Sequence, residues 1–265
     1  MTEVLYAPDK ERLVTTNAWA FLHWLRVVRN IELAGWQALQ LWSAGDPAAF
    51  AQAFAEFARL PDSPLHLVRH AGGREAVVWR GAHAARVALT RDNYAASLAS
   101  LPPEIATLLT RRWPAEALIG PVAELLLHAD LRPDDRVLVV GAAWPWLAAL
   151  LEGTTVILAA PVGLLAAAEK ECATVLVAAP RVLSEAAFQR PGRRASLRHL
   201  RTVIAAGGPL SPEVRRRIYA WMKADVMLLA RTGDAFWGNP LEPVLAQPPA
   251  TPAFLTPPTS VPATR

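Results

Sequence analysis

Arg136-Val137-Leu138-Val139-Val140-Gly141, then Thr155-Val156-Ile157-Leu158, then Thr174-Val175-Leu176-Val177 decide the fold of this chain. Each is a short apolar run rich in β-branched residues, bounded by glycine, proline or charge, as expected of strands buried on both faces of a parallel sheet. Between Arg136 and Glu169 the only charged residue is Glu152. Such a stretch imitates a membrane span, but Gly141, Pro145, Gly153 and Pro161 cut it into pieces too short for the roughly 20 apolar residues a spanning helix needs. The rhythm continues with Thr202-Val203-Ile204-Ala205 and Val226-Met227-Leu228-Leu229 as further strands. Helical segments are expected at Trp146–Leu151, Leu164–Glu171 and Pro212–Lys223, the last with Ser211 as cap and proline in its first turn. Alternating strand and helix predicts an α/β fold, a mostly parallel sheet with helices on both faces.

Working outward, residues 1–60 read as a helical layer. Thr16 or Asn17 caps a helix carrying Ala18, Phe21, Leu22, Leu25 and Val28 at helical spacing. A second helix is expected over Ile31–Trp42, and Asp46-Pro47 opens a third bearing Phe50, Phe54 and Phe57. Trp19, Trp24, Trp36 and Trp42 lie in the same region, and aromatic stripes of this kind are ordinarily core. Residues 61–245 form the α/β body. Within it Pro61-Asp62-Ser63-Pro64 reads as a turn, Glu75–Trp79 as a short strand, and His83–Leu109 as helix-forming in composition without a clear stripe. Pro240–Arg265 holds eight prolines in 26 residues, and 246–265 is expected to be a disordered tail.

Composition narrows the function. The 265 residues carry 27 Lys+Arg against 23 Asp+Glu, a net charge of +4 that argues only weakly for nucleic acid, and none is expected as a partner. One cysteine, Cys172, excludes a disulfide framework and a Cys-cluster zinc or iron–sulfur site; a buried inert thiol is the usual case. No signal peptide is visible at Met1-Thr2-Glu3-Val4, so a cytoplasmic protein without a membrane span is expected. Of six histidines only His66 and His70 have a metal-ligand spacing, and Pro64 and Gly72-Gly73 place that pair in a loop. The basic runs around Arg190–Arg201 and at Arg215-Arg216-Arg217 read as solvated surface.

Two strand ends carry chemistry. Ala206-Gly207-Gly208-Pro209-Leu210-Ser211 leaves a strand and enters a helix, where glycines let backbone approach a flat ligand. Arg231-Thr232-Gly233-Asp234 follows the last strand. Its hydroxyl and carboxylate suit a phosphate–magnesium pair, or a turn in which the aspartate bonds its own backbone.

Read as a series, these segments resemble the adenylate-forming acyl-CoA synthetases, specifically their acetoacetyl-CoA synthetase branch. Asp130-Leu131-Arg132-Pro133-Asp134-Asp135-Arg136-Val137 is similar to that branch's entry into a core strand. Trp144-Pro145-Trp146 with Leu151–Leu158, His199–Glu213, and Gly233-Asp234 with Phe236 and Gly238-Asn239-Pro240 resemble later motifs in the same order. Tyr6-Ala7-Pro8, Phe21 with Trp24, and Asp46-Pro47 with Phe50 resemble the amino-terminal region, so that the likeness covers about two thirds of the chain. The resemblance implies that Gly207, Gly208, Pro209 and Leu210 line an adenine, and that Thr232, Gly233 and Asp234 face phosphate, with Asp234 on magnesium. It places Trp144 and Trp146 on the acyl side. ATP or AMP with magnesium, and CoA, are the implied cofactors.

The departures bear equally on function. The family's phosphate loop should precede His128-Ala129-Asp130, where Thr110-Arg111-Arg112-Trp113-Pro114-Ala115-Glu116-Ala117 has no glycine or hydroxyl cluster. The first half of the core is reduced to 61–110, Arg231 stands for a glycine, and the small domain with the catalytic lysine has no counterpart. The expectation is a degenerate relative unable to complete acyl-CoA formation alone, binding at most nucleotide or acyl-CoA. The alternatives are an active or partner-complemented ligase, and a non-catalytic interaction module whose protein partner covers the reduced core.

Overall fold

A computed structural model describes residues 3–60, 99, 101, 103–114, 116–141, 146, 149, 154–188, 197–220, 225–232 and 235–247, with backbone elements also at 65–66, 74–80, 83–89 and 221–222. The expected turn at 61–64, the tail beyond Gln247, His70, Trp144, Gly233 and Asp234 lie outside the described residues.

The body is an eight-stranded sheet in the order β11-β10-β9-β8-β6-β7-β3-β4. Its strands are β3 (Arg74–Arg80), β4 (His83–Leu89), β6 (Arg136–Val140), β7 (Thr155–Ala159), β8 (Val175–Ala178), β9 (Thr202–Ala206), β10 (Met227–Thr232) and β11 (Ala235–Trp237). The strands from β10 through β3 run parallel, and β11 and β4 close the two edges antiparallel. Val137, Leu138, Val156, Ile157, Leu176, Val177, Val203 and Ile204 are buried, as apolar runs covered on both faces must be. Short pairs β1 (Val4–Tyr6) with β12 (Val244–Leu245), and β2 (Leu65–His66) with β5 (Arg112–Trp113), stand apart from the main sheet.

The five strands expected along 136–232 all form. Of His83–Leu109, read from sequence as helix-forming, Pro103–Leu109 lies in α5 (Pro103–Thr110) whereas His83–Leu89 is β4, paired residue for residue with β3; 90–98, 100 and 102 lie outside the described residues. Pairing at the open edge of β3 outweighs local helix propensity there.

The amino-terminal layer contains α1 (Lys10–Val14), α2 (Asn17–Val28), α3 (Trp36–Gly45) and α4 (Pro47–Phe57). Thr16 caps α2 by accepting from the Trp19 amide, and Asp46 caps α4 by accepting from Ala49. The helix expected from Ile31 starts only at Trp36, because Gly35 breaks the run with a positive φ of 123°. Phe21 meets Phe54 edge-on at 5.7 Å and Phe50 at 6.1 Å, and all three are fully buried.

A charged lattice fastens this layer to the sheet. Arg201, just before β9, donates to the carboxylates of both Asp130 and Asp135. Asp130 accepts from the Asn17 amide at 2.8 Å, Asp135 accepts from the Thr174 hydroxyl at 2.6 Å, and Arg136 pairs with Glu171 at 2.7 Å. Arg215, read from sequence as surface, is buried and donates to the Leu245 carbonyl at 2.8 Å. Cys172 is exposed rather than buried, at a left-handed φ of 50° after α7 (Leu164–Lys170). No helix among the described residues is long and apolar enough to cross a membrane.

Candidate functional site

In an open parallel sheet, ligands sit beyond the carboxyl ends of the strands, where loops and helix starts converge. Gly207 and Gly208 lie at such an end, after β9. Their φ values of +123° and +136° fall where side-chain-bearing residues are strained. Gly207 is wedged between its neighbours: its amide donates to the Arg231 carbonyl on β10, and a Cβ there would meet the Pro180 ring at 3.4 Å. Pro180 begins α8 (Pro180–Phe188). A Cβ on Gly208 would lie 3.5 Å from the Thr232 hydroxyl oxygen. The structure therefore brings Gly207, Gly208 and Thr232 together, although 24 positions separate Gly208 from Thr232 in the chain. Gly207, Pro209 and Thr232 are exposed, whereas Leu210 is buried in the core below them.

Side chains alternate along a strand, so Arg231 projects from the opposite face of β10 to Thr232. There its Nε and Nη2 both lie 3.0 Å from one carboxylate oxygen of Glu124. Trp146 and Phe236 flank the guanidinium, each ring centre 5.8 Å away. Trp146 thus contributes a wall rather than an open surface, and is buried. Glu124 sits in α6 (Glu116–Ala123) where it passes into a π-helical turn at Glu124–His128. Such wide turns often occur where a helix side chain is re-aimed for a purpose.

One turn on, His128 completes the cluster. Its ring stacks on Phe236 at 4.5 Å and meets Trp36 edge-on at 4.7 Å, with Nδ1 3.2 Å from the Gly238 carbonyl. Burial, reinforced by the nearby Arg231 cation, pushes its pKa from 6.5 down to about 3. His128 is therefore neutral at physiological pH, and its Nδ1 carries the proton that bonds Gly238.

Glu124 and the buried role of His128 were not apparent from sequence. One signal was present: a glutamate between Val122-Ala123 and Leu125-Leu126-Leu127 is a charge inside an apolar helix face, and such a charge needs a partner. The segment before it, where a phosphate loop would be expected, builds α5 and β5. The hydroxyls of Thr107 and Thr110 donate back to the Pro103 and Ala106 carbonyls at 2.8 and 2.9 Å. The Trp113 indole donates to Leu108 at 3.1 Å, and Arg111 lies over its ring. Among the described residues no group of three His, Cys, Asp or Glu side chains is arranged to hold a metal.

The chain has the fold of the adenylate-forming ligases. It is similar to the acetoacetyl-CoA synthetase from Streptomyces lividans, with a TM-score of 0.72 over 91% of this chain and 67% of that one. Identity is 14%, so the likeness is one of fold. Shorter matches include an amide bond synthetase from Marinactinospora thermotolerans (26% identity, TM-score 0.36, 42% of this chain and 24% of that one). Another is a long-chain-fatty-acid–CoA ligase from Archaeoglobus fulgidus (11% identity, TM-score 0.40, 43% and 26%). By sequence the chain matches no family model and no curated protein.

Proposed function

We propose that the chain is a degenerate relative of acetoacetyl-CoA synthetase that retains a nucleotide-binding strand end and does not form acyl-adenylates alone. The observation that carries the reading is the two-sided end of β10. On one face the exposed Gly207 and Thr232 leave backbone and a hydroxyl accessible to a flat base and its phosphate, with Gly208 buried between them and the core. On the other, Arg231, where the resemblance expects glycine, pairs with Glu124 while its guanidinium lies beside the Trp146 and Phe236 rings.

Acyl-adenylate formation joins a carboxylate oxygen to the α-phosphorus of ATP and expels pyrophosphate. Its cost lies in gathering three anionic centres, and cations and amide dipoles must be arranged in advance to offset them. Here Arg231 is neutralised by Glu124, and the Thr107 and Thr110 hydroxyls are bonded into their own helix. Loss of one such stabilising group typically costs about 100- to 1,000-fold in rate. Magnesium would be held through Asp234 and would offset the negative charge of the nucleotide phosphates, and CoA would be an accessory ligand.

Calorimetric titration of the whole chain with Mg·ATP, AMP and CoA tests the reading, beside an assay for acetoacetate-dependent AMP release. Saturable micromolar nucleotide binding without AMP release is expected. AMP release above background restores an active ligase. A cooperatively melting protein that binds no nucleotide removes the retained site.

A further inference from the structure

We propose that the outer face of α2 is a contact between two copies of this chain, related by a two-fold axis that crosses the helix near His23. The inference concerns the amino-terminal layer and stands apart from the nucleotide reading of the strand ends.

Helical spacing puts Trp19, His23, Arg26 and Val27 on one side of α2, while Ala18, Phe21 and Leu25 enter the core on the other. Trp19 is 47% exposed and Val27 is 65% exposed, two large apolar side chains left in water on either side of His23. Scattered apolar side chains on a surface are ordinary. A pair spaced evenly about the middle of one helix is what a self-matching surface needs. With two such helices antiparallel, Trp19 of each copy falls against Val27 of the other.

Charge singles out the occupant. Past α2 the chain turns at Asn30, which has a φ of 54°, and Glu32–Gly35 line a cleft of about 310 Å³ together with Trp19, His23 and Arg26. Arg26 and Glu32 border the same cleft, yet among the described residues neither forms an ion pair or side-chain hydrogen bond, with the other or with any neighbour. Elsewhere exposed charges do pair, as Arg29 does with Glu56 and Arg216 with Glu3. A partner of one charge sign would face either Arg26 or Glu32 as a like charge. A second copy offers both signs in reverse order, so that Arg26 meets the other copy's carboxylate, Glu32 its guanidinium, and each contact occurs twice. A face one 12-residue helix long falls at or below the low end of standard interfaces, so the dimer is reversible, with a Kd on the order of 10–100 μM.

Sedimentation velocity of the whole chain at low ionic strength, from about tenfold below to tenfold above that Kd, tests the proposal. The wild type is expected to pass from monomer to dimer. Trp19→Ser combined with Val27→Ser is expected to stay monomeric, and thermal melting checks that it is folded. Arg26→Glu and Glu32→Arg are each expected to weaken self-association about tenfold or more, because each sets like charges at two symmetric contacts. Mixed in equal amounts, these two single variants present opposite charges to one another and are expected to form a heterodimer. A wild type that stays monomeric throughout the range overturns the proposal. So does a dimer that survives the Trp19 and Val27 substitutions, or a mixture of the two charge variants that associates no better than either one alone.

Discussion

Acidification should weaken this protein through His128 well before its carboxylates protonate. The imidazole is buried between Phe236 and Trp36, bonded to the Gly238 carbonyl, and faces the Arg231 cation, so its folded pKa falls from 6.5 to about 3. In the unfolded chain the same group takes up a proton near pH 6.5. A depressed folded pKa makes the unfolded state the better proton binder between those values, so stability is full above pH 6.5 and declines as pH falls. One proton corresponds to about 1.4 kcal/mol per pH unit, hence about 2 kcal/mol between pH 6.5 and 5. That is a sizeable fraction of the roughly 5–15 kcal/mol typical of a folded chain. Urea unfolding at pH 7.5, 6.5, 5.5 and 5.0 measures the slope, and His128→Phe supplies the reference. The variant is less stable at every pH, yet its slope should be shallower by about one proton, because the remaining groups titrate alike in both proteins. Parallel slopes for wild type and variant would refute the assignment of a buried neutral imidazole.

Further outcomes follow from other contacts. Arg201→Ala leaves the Asp130 and Asp135 carboxylates buried without their shared guanidinium and should cost about 3–5 kcal/mol in chemical denaturation. A loss below about 1 kcal/mol would mean the lattice is solvated. Phe54→Ala empties the centre of the Phe21–Phe50–Phe54 cluster and should cost about 3–5 kcal/mol, read as a fall in urea midpoint without a change in slope. Cys172→Gly relieves a left-handed residue at φ 50° and should raise stability by about 0.5–1 kcal/mol. In the wild type the same exposed thiol should react fully with a thiol reagent under native conditions; protection until unfolding would contradict its position.

Much of the sheet was legible in the residues. Val137–Val140, Val156–Leu158 and Val175–Val177 are uninterrupted apolar runs, and a strand covered on both faces tolerates little else. The caps Thr16, Asp46 and Ser211 were equally readable, since each satisfies amides only a few residues away. The edge was not: His83–Leu89 has no strand pattern of its own, and β4 forms because β3 offers it unpaired backbone. The candidate site divides the same way. Gly207-Gly208-Pro209 and Thr232 announce themselves as strand-end residues, and the lone arginine in place of glycine at 231 marked an oddity. What Arg231 does depended on Glu124, 107 positions earlier. Likewise the motif Asp130–Arg136, whose resemblance points toward a ligase, sits at the opposite ends of the strands from Gly207 and serves to hold Arg201. Hydrophobic period and capping are short-range properties that any stretch of chain carries with it. Which charge meets which across a sheet is set only when the strands are ordered and the helices laid over them.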